Sequence, residues 1–435
     1  MLLNNITFRL AWRNLWRQPR RTLLTLGAMV FANIILVCMI SLQFGMYGLM
    51  IDNTLSMLTG HLKVMALNYK DDGKIRQSIG EAETLAQQLR NDLNRLKSES
   101  FEGESAANND TEGENNSVKI AVRGKAFALA SSEDRSFGIL VMGVEPEHEP
   151  QVSSIPGLIQ RGRYLSDSKA EEIVIGSVLA RNLQVDLDDE ITLIGSGRDG
   201  SFAAAVITVV GVTQSGMTDL DRSIAQMPLQ LFQETFAMGN GAHEIVIRAP
   251  DLSDVEEISI RAQRLIDDRP SLVLHDWDDL EPGLKQSIQA DLFSAWFMYG
   301  VLITLVAFSV LNTVLMSVLE RTREFGIVMS LGLTPGRLGR LVILETAIMG
   351  VLGLAAGILI GTGLVAWAGI YGITFPGMDE MGKQFNLPAR IYPDLTVFQL
   401  ALGPSIVFAA TLLSSLWPAL RLHWLEPVQA MRAAG

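Results

Sequence analysis

The chain has 435 residues, a formal net charge of −12, and 48% hydrophobic against 19% charged residues. It is too apolar for an ordinary soluble protein, and its acidic balance speaks against nucleic acid, which selects basic faces. A single cysteine, Cys38, excludes an intrachain disulfide. The charges are segregated. Residues 51–291 hold 40 Asp+Glu and 22 Lys+Arg, a net of −18, and the remainder holds 7 and 13, a net of +6, which together give the −12 of the whole chain. Such a division implies two solvents, water around the acidic stretch and lipid around the rest.

In chain order, residues 1–21 carry Arg9, Arg13, Arg17, Arg20 and Arg21 with Phe8, Trp12 and Trp16 among them and no acid. Spacings of four and three put Arg9, Arg13, Arg17 and Arg20 on one helical face, as in an amphipathic helix lying on anionic membrane lipid; the alternative reading is a topology signal alone. The apolar run that follows, residues 22–50, is far longer than the core of a cleavable signal peptide and reads as a retained first span. Residues 292–319, 341–373 and 395–420 are three further apolar runs. Each exceeds the roughly 20 residues that cross about 30 Å of hydrocarbon.

Arginines gather before the first run, between the second and third, and after the fourth (Arg421, Arg432). The loop 374–394 has only Lys383 and Arg390, balanced by Asp379, Glu380 and Asp394. The positive-inside rule therefore predicts cytoplasmic termini, a cytoplasmic tail at 421–435, and residues 51–291 outside. The third run carries Gly350, Gly353, Gly357, Gly361 and Gly363, a small-residue spacing suited to close helix packing. Charged residues are missing from mid-span, which argues against a proton relay or an ion-coupled carrier. Glu345 lies near one edge and is expected to snorkel.

The acidic stretch 51–291 alternates strand and helix signals and reads as an α+β domain with room for two lobes. Strands are predicted at 61–66, 118–130, 138–144, 172–176, 191–194, 203–212, 244–248 and 271–275. Helices are predicted at 81–97, 177–183, 228–237 and 252–267. Residues 98–117 form a polar, acidic tract with almost no apolar residue and are predicted to be a disordered loop.

No motif for catalysis stands out. Gly195-Ser-Gly197-Arg-Asp-Gly200 matches G-x-G-x-x-G, but a strand and not a helix follows, so it reads as a hairpin turn. No G-x-x-x-x-G-K-[ST] occurs, so a P-loop ATPase would have to be another subunit. The five histidines are scattered without metal-ligand spacing, and the carboxylate clusters Glu171/Glu172 and Asp188/Asp189/Glu190 read as strand edges and turns of an acidic surface. The chain is expected to be non-catalytic, with no metal and no cofactor of its own.

Residues 320–340, ERTREFGIVMSLGLTPGRLGR, are a short polar piece between two spans. Charges lead and an apolar patch follows. Gly332 suits a helix C-terminus, and Thr334 with Pro335 reads as an N-cap followed by proline at the first helical position. Glu320-Arg-Thr-Arg-Glu-Phe-Gly-Ile327 with Leu331-Gly-Leu-Thr-Pro335 resembles the coupling segment of the FtsX/MacB-like ABC permeases, which include the lipoprotein-releasing Lol permeases. Ala11-Trp-Arg-Asn-Leu15, Pro19-Arg-Arg-Thr22, Trp417-Pro-Ala-Leu-Arg421 and Glu426-Pro-Val-Gln-Ala-Met-Arg432 add to that likeness, as do Ile173–Gly176, Val209–Val212 and Met217–Asp221.

The resemblance implies four transmembrane helices with a large extracytoplasmic α+β domain of MacB periplasmic-core type, in the bacterial inner membrane. It also implies a separate ABC ATPase that binds ATP-Mg, and a second permease copy or paralogue. Glu320, Arg321, Arg323, Glu324, Phe325, Gly326, Leu331, Gly332 and Pro335 would couple to the ATPase. ATP-driven motion would then be passed outward to release a lipoprotein or other amphiphile. Two alternatives are an efflux permease working with an adaptor and an outer-membrane channel, and a signalling scaffold that controls a cell-wall hydrolase.

Overall fold

A computed structural model describes residues 2–101, 117–374, 390–394 and 396–424. Residues 102–116 of the acidic tract, most of the loop 374–394, and the tail from 425 with its Glu426–Arg432 motif lie outside the described residues. The chain divides into two units, Met1–Leu49 with Gln286–Phe375 and Arg390–Gly435, and Met50–Lys285 with Pro376–Ala389.

The first unit is helical. A helix Leu2–Leu15 is followed by a break and then by Pro19–Thr54, so Pro19, Arg20 and Arg21 belong to the span helix and not to the N-terminal segment expected to reach residue 21. The other long helices are Pro282–Glu320, Pro335–Tyr371 and Val397–Arg421. All four are long and apolar enough to cross a membrane. We call them spans 1 to 4. Spans 1 to 3 outrun their apolar cores, because nothing in the flanking polar residues breaks the i to i−4 ladder before Pro19, Pro282 or Pro335, prolines placed where a missing N–H costs nothing.

Span 3 lies against span 1 along its glycines. A Cβ added at Gly353 would stand 2.9 Å from Met29 Cβ, at Gly357 2.4 Å from Asn33 Cβ, and at Gly361 3.1 Å from Val37 Cβ. These residues recur every four positions on both helices, so one ridge of span 1 seats in a groove that side chains would fill. Asn33 Nδ2 donates to Gly353 O at 3.2 Å inside that contact. Gly350 meets Phe408 of span 4 in the same way.

The second unit holds one 10-stranded sheet. Its strands are β1 Leu62–Ala66, β2 Lys119–Ser131, β3 Ser136–Val144, β4 Ile159–Gly162, β5 Glu172–Gly176, β6 Glu190–Ser196, β7 Phe202–Thr213, β8 Ile224–Pro228, β9 Glu244–Arg248 and β10 Leu272–Asp276. Eight correspond to expected strands within a residue or two. β4 is short and polar, and β8 ends in Pro228, which the sequence assigns to the following helix; neither carries an alternating pattern.

Strand β2 is long enough to serve two partners on one side. Lys119–Arg123 pair with β9 and Ala128–Ser131 with β6, while Arg123–Ser131 pair with β3 on the other side. The consequence is a ring: β2, β3, β8, β5, β7 and β6 each pair with the next, and β6 returns to β2. Alternate residues of these strands (Ala126, Ala128, Val141, Ile173, Ile207) point into one core, closed by Phe232 and Phe236 from the helix Leu229–Thr235 and its C-cap. A second core forms where β1, β9 and the first half of β2 are covered by helices Ala82–Phe101 and Val255–Ile266, with Leu85, Leu89, Leu93, Ile258 and Ile266 facing the sheet. The two cores are the two lobes. Helix Ala82–Phe101 also runs past Lys97 into the tract expected to be loop, since Ser98, Glu99 and Ser100 do not stop a helix whose preceding turns are already packed. The G-x-G-x-x-G stretch is the β6–β7 hairpin turn, in which Gly197 N–H donates to Ser201 O and Gly200 has φ +86°.

Candidate coupling site

The polar piece between spans 2 and 3 folds as a helix, Thr322–Ser330, ended by Gly332 at φ +97° and followed by Thr334 as N-cap of span 3. Only a residue without a Cβ adopts that φ freely, which explains the glycine. One face of this helix is rooted. Phe325 and Met329 are buried in the core that spans 1, 2 and 3 share, and Gly326 is buried beside them. The opposite face is open. Arg323, Glu324 and Ile327 are exposed, and so are Leu331, Gly332 and Leu333 in the turn, with Leu331 at 82%.

Three carboxylates, Glu324, Glu320 and Glu345, tie the helix and its flanks to residues 14–21. Arg17 grips both oxygens of Glu324 at 3.0 and 2.9 Å. Arg21 grips both oxygens of Glu320 at 2.9 Å, and Gln18 adds a bond of 2.8 Å to the same carboxylate. Arg321 Nη1 reaches both oxygens of Glu345 at 3.1 and 3.2 Å, and Asn14 Nδ2 donates to that carboxylate at 2.7 Å. Arg321 also lies 4.9 Å over the Phe325 ring. Planar guanidinium forks matched to carboxylates hold orientation as well as charge. These groups line a cavity of about 290 Å³ between the N-terminal segment and spans 2 and 3.

The Arg17 hydrogen bond and charge hold the Glu324 carboxyl below its usual range, and the same bond raises Arg17. Glu345 corrects the snorkelling expectation, since its side chain is only 13% exposed and carries a guanidinium partner inside the structure. Of the expected coupling residues, Glu320, Arg321, Glu324 and Phe325 are brought together, Arg323 and Leu331 point outward, and Gly326, Gly332 and Pro335 shape the backbone. Of the five arginines assigned to a lipid surface, Arg9, Arg13 and Arg20 are exposed, whereas Arg17 and Arg21 are spent on Glu324 and Glu320. The sequence places Ile327 in the apolar patch but not among the coupling residues, and Leu333 in neither. The i to i+4 spacing of Ile327 and Leu331 opposite Phe325 and Met329 would have revealed the open face.

A model of the MacB-like periplasmic core domain matches residues 22–265, and a model of the FtsX-like permease C-terminal region matches residues 296–427. The chain is 21% identical over 317 residues to the lipoprotein-releasing system transmembrane protein LolC of Neisseria meningitidis, covering 70% of this chain and 75% of that protein. It is 25% identical over 320 residues to the corresponding LolE of Haemophilus influenzae, covering 70% and 74%. It is also 25% identical over 279 residues to the macrolide export ATP-binding/permease protein MacB of Hyphomonas neptunium, covering 61% of this chain and 39% of that protein.

Proposed function

The chain belongs to the ABC-transporter permease family that joins a MacB-like periplasmic core domain to an FtsX-like permease region, and on that premise we propose that it is a lever driven by a separate ATPase. The helix Thr322–Ser330 and its turn are the input. One observation carries the reading: exposed Ile327, Leu331 and Leu333 project from a helix and the turn after it, whose other face and both flanks are anchored by Phe325, Arg17–Glu324, Arg21–Glu320 and Arg321–Glu345. An apolar tip offered to solvent marks a docking surface, and a docking surface rooted in three spans transmits a push to all of them.

In this reading the termini and residues 320–340 are cytoplasmic, the ATPase holds ATP-Mg, and two permease copies or paralogues work together in the inner membrane. The work done is the release or export of a lipoprotein or other amphiphile. Lifting an acyl chain out of lipid costs about 0.8 kcal/mol for each CH₂ exposed, so an external energy source is required, and ATP on the partner supplies it. The permease itself performs no covalent chemistry.

The test is Ile327→Asp with Leu331→Asp in the full-length chain. Both side chains are exposed, so membrane insertion and thermal stability should match the wild type. An ATP-binding subunit that co-purifies from native membranes with the wild type should be lost at least tenfold with the double variant. Equal recovery and equal nucleotide turnover would overturn the assignment.

A further inference from the structure

The outer surface of the β-ring is apolar in a place where a solvated sheet face is normally polar. Phe127 and Leu129 on β2 and Phe202 and Val206 on β7 are exposed, the two phenylalanines by 77% and 76%. Register gathers them. Ala128 pairs with Gly195 and Ser196 with Phe202, so Phe127 and Phe202 stand on either side of Ser196 in one row across three strands. Two strand spacings put them about 10 Å apart.

A cleft of about 410 Å³ opens at the Phe127 end of this row, lined among others by Tyr69, Lys70, Lys125, Leu140 and Glu244. Its lining sets two cations, Lys70 and Lys125, against one carboxylate, Glu244, with Lys63 buried behind. The Glu244 carboxylate, 3% exposed, lies between Lys125 at 2.6 Å and Lys63 at 3.0 Å. One carboxylate cannot balance two ammonium groups. Lys125 gives one of its three donors to Glu244 Oε1 and lines the cleft. Lys70 adds a further cation at the rim. Lys125 precedes Phe127 by two residues, so its ammonium stem leaves the same face of β2 about 7 Å along the strand.

We propose that this cleft and the adjoining apolar row bind a single-chain anionic amphiphile, an acyl carboxylate whose head sits on Lys125 and Lys70 and whose chain crosses Phe127 toward Phe202. A cationic head would meet like charge. A neutral head could accept a hydrogen bond from Lys125 but would leave the positive charge unbalanced, whereas a carboxylate does both. The proposal deepens the reading of the chain as a permease for amphiphiles and rests on it for its physiological meaning. Binding is measured without ATPase or nucleotide, so a failure here leaves the coupling role standing.

The full-length chain in phosphatidylcholine nanodiscs is irradiated with a diazirine-bearing twelve-carbon carboxylate, and the label is mapped by peptide mass spectrometry. Label should fall on residues 125–129 and 200–206. Excess dodecanoate should reduce it at least tenfold, and dodecyltrimethylammonium or acetate by less than twofold. Phe202→Ser, a change at an exposed site that leaves the core intact, should cut labelling at least fivefold. Lys125→Gln should do the same, and Lys125→Arg should restore it. Label confined to the spans, equal competition by the cationic and anionic probes, or insensitivity to Phe202→Ser would overturn the proposal. So would capture of a second copy of this chain, or of another polypeptide, by a photoreactive side chain placed at position 202.

Discussion

Arg17 and Glu324 are 307 positions apart in the chain, yet one guanidinium holds both oxygens of one carboxylate. Both side chains are about half exposed, so the pair adds little to folding stability. Its effect is geometric. It ties the helix Thr322–Ser330 to the break between the N-terminal helix and span 1.

A charge swap separates that role from general electrostatics. Arg17→Glu or Glu324→Arg should each leave the thermal midpoint unchanged within a degree or two. Each should lower the transport that accompanies a given rate of ATP hydrolysis by about tenfold, because like charges now push the two elements apart. The double swap should restore it to within twofold in proteoliposomes. A double variant as impaired as the singles would show that the pair does not position the helix.

The glycine groove of span 3 admits no side chain at Gly357, where an added Cβ would stand 2.4 Å from Asn33 Cβ, whereas nothing lies within 4 Å of Gly363. Gly357→Val should therefore cost about 1–3 kcal/mol through overpacking. Gly363→Ala should be neutral or slightly stabilising, since alanine is the better helix former. Thermal unfolding in detergent compares them, and equal midpoints would contradict the close approach of spans 1 and 3.

Arg123 and Glu149 form an ion pair with neither side chain exposed, closed by contacts of 2.8 and 3.0 Å, and Arg123 also donates to Leu58 O. Glu149→Gln leaves a buried guanidinium without its counter-charge and should destabilise the sheet-bearing unit by about 3–5 kcal/mol. Arg123→Met combined with Glu149→Leu should be milder than Glu149→Gln, because no charge is then stranded. Denaturant unfolding followed by circular dichroism reads the order, and a double variant worse than the single would refute it.

His243 accepts a hydrogen bond from Lys125 N–H at Nδ1 (2.9 Å), lies 3.1 Å through Nε2 from Ile75 O, and stacks on Tyr69. Burial pushes its pKa down from 6.5 to about 4. The unfolded chain therefore binds more protons than the folded one between those values, and stability rises with pH across that window. The contribution is complete above about pH 6.5 and is lost as pH falls toward 4, on the order of 2 kcal/mol by pH 5. His243→Gln should flatten the slope of the thermal midpoint between pH 5 and 6.5. An unchanged slope would remove His243 from the account.

Whatever depends on neighbours along the chain was readable in the residue order. The apolar runs declared four spans, alternation declared most strands, Gly332 with Thr334 and Pro335 declared a break between two helices, and the glycines of span 3 declared a close contact. These signals are local, because helix and strand periods and caps are set within a few residues. The return of β6 to β2, which turns a sheet into a ring, left no mark in either strand, since a strand's pattern shows which face is buried and not which partner lies beside it. The same holds for Arg17 and Arg21, whose carboxylate partners arrive from hundreds of residues away, and for Glu345, whose burial follows from Arg321 and Asn14 folding over it. A charge carries no record of its counter-charge until the chain has packed.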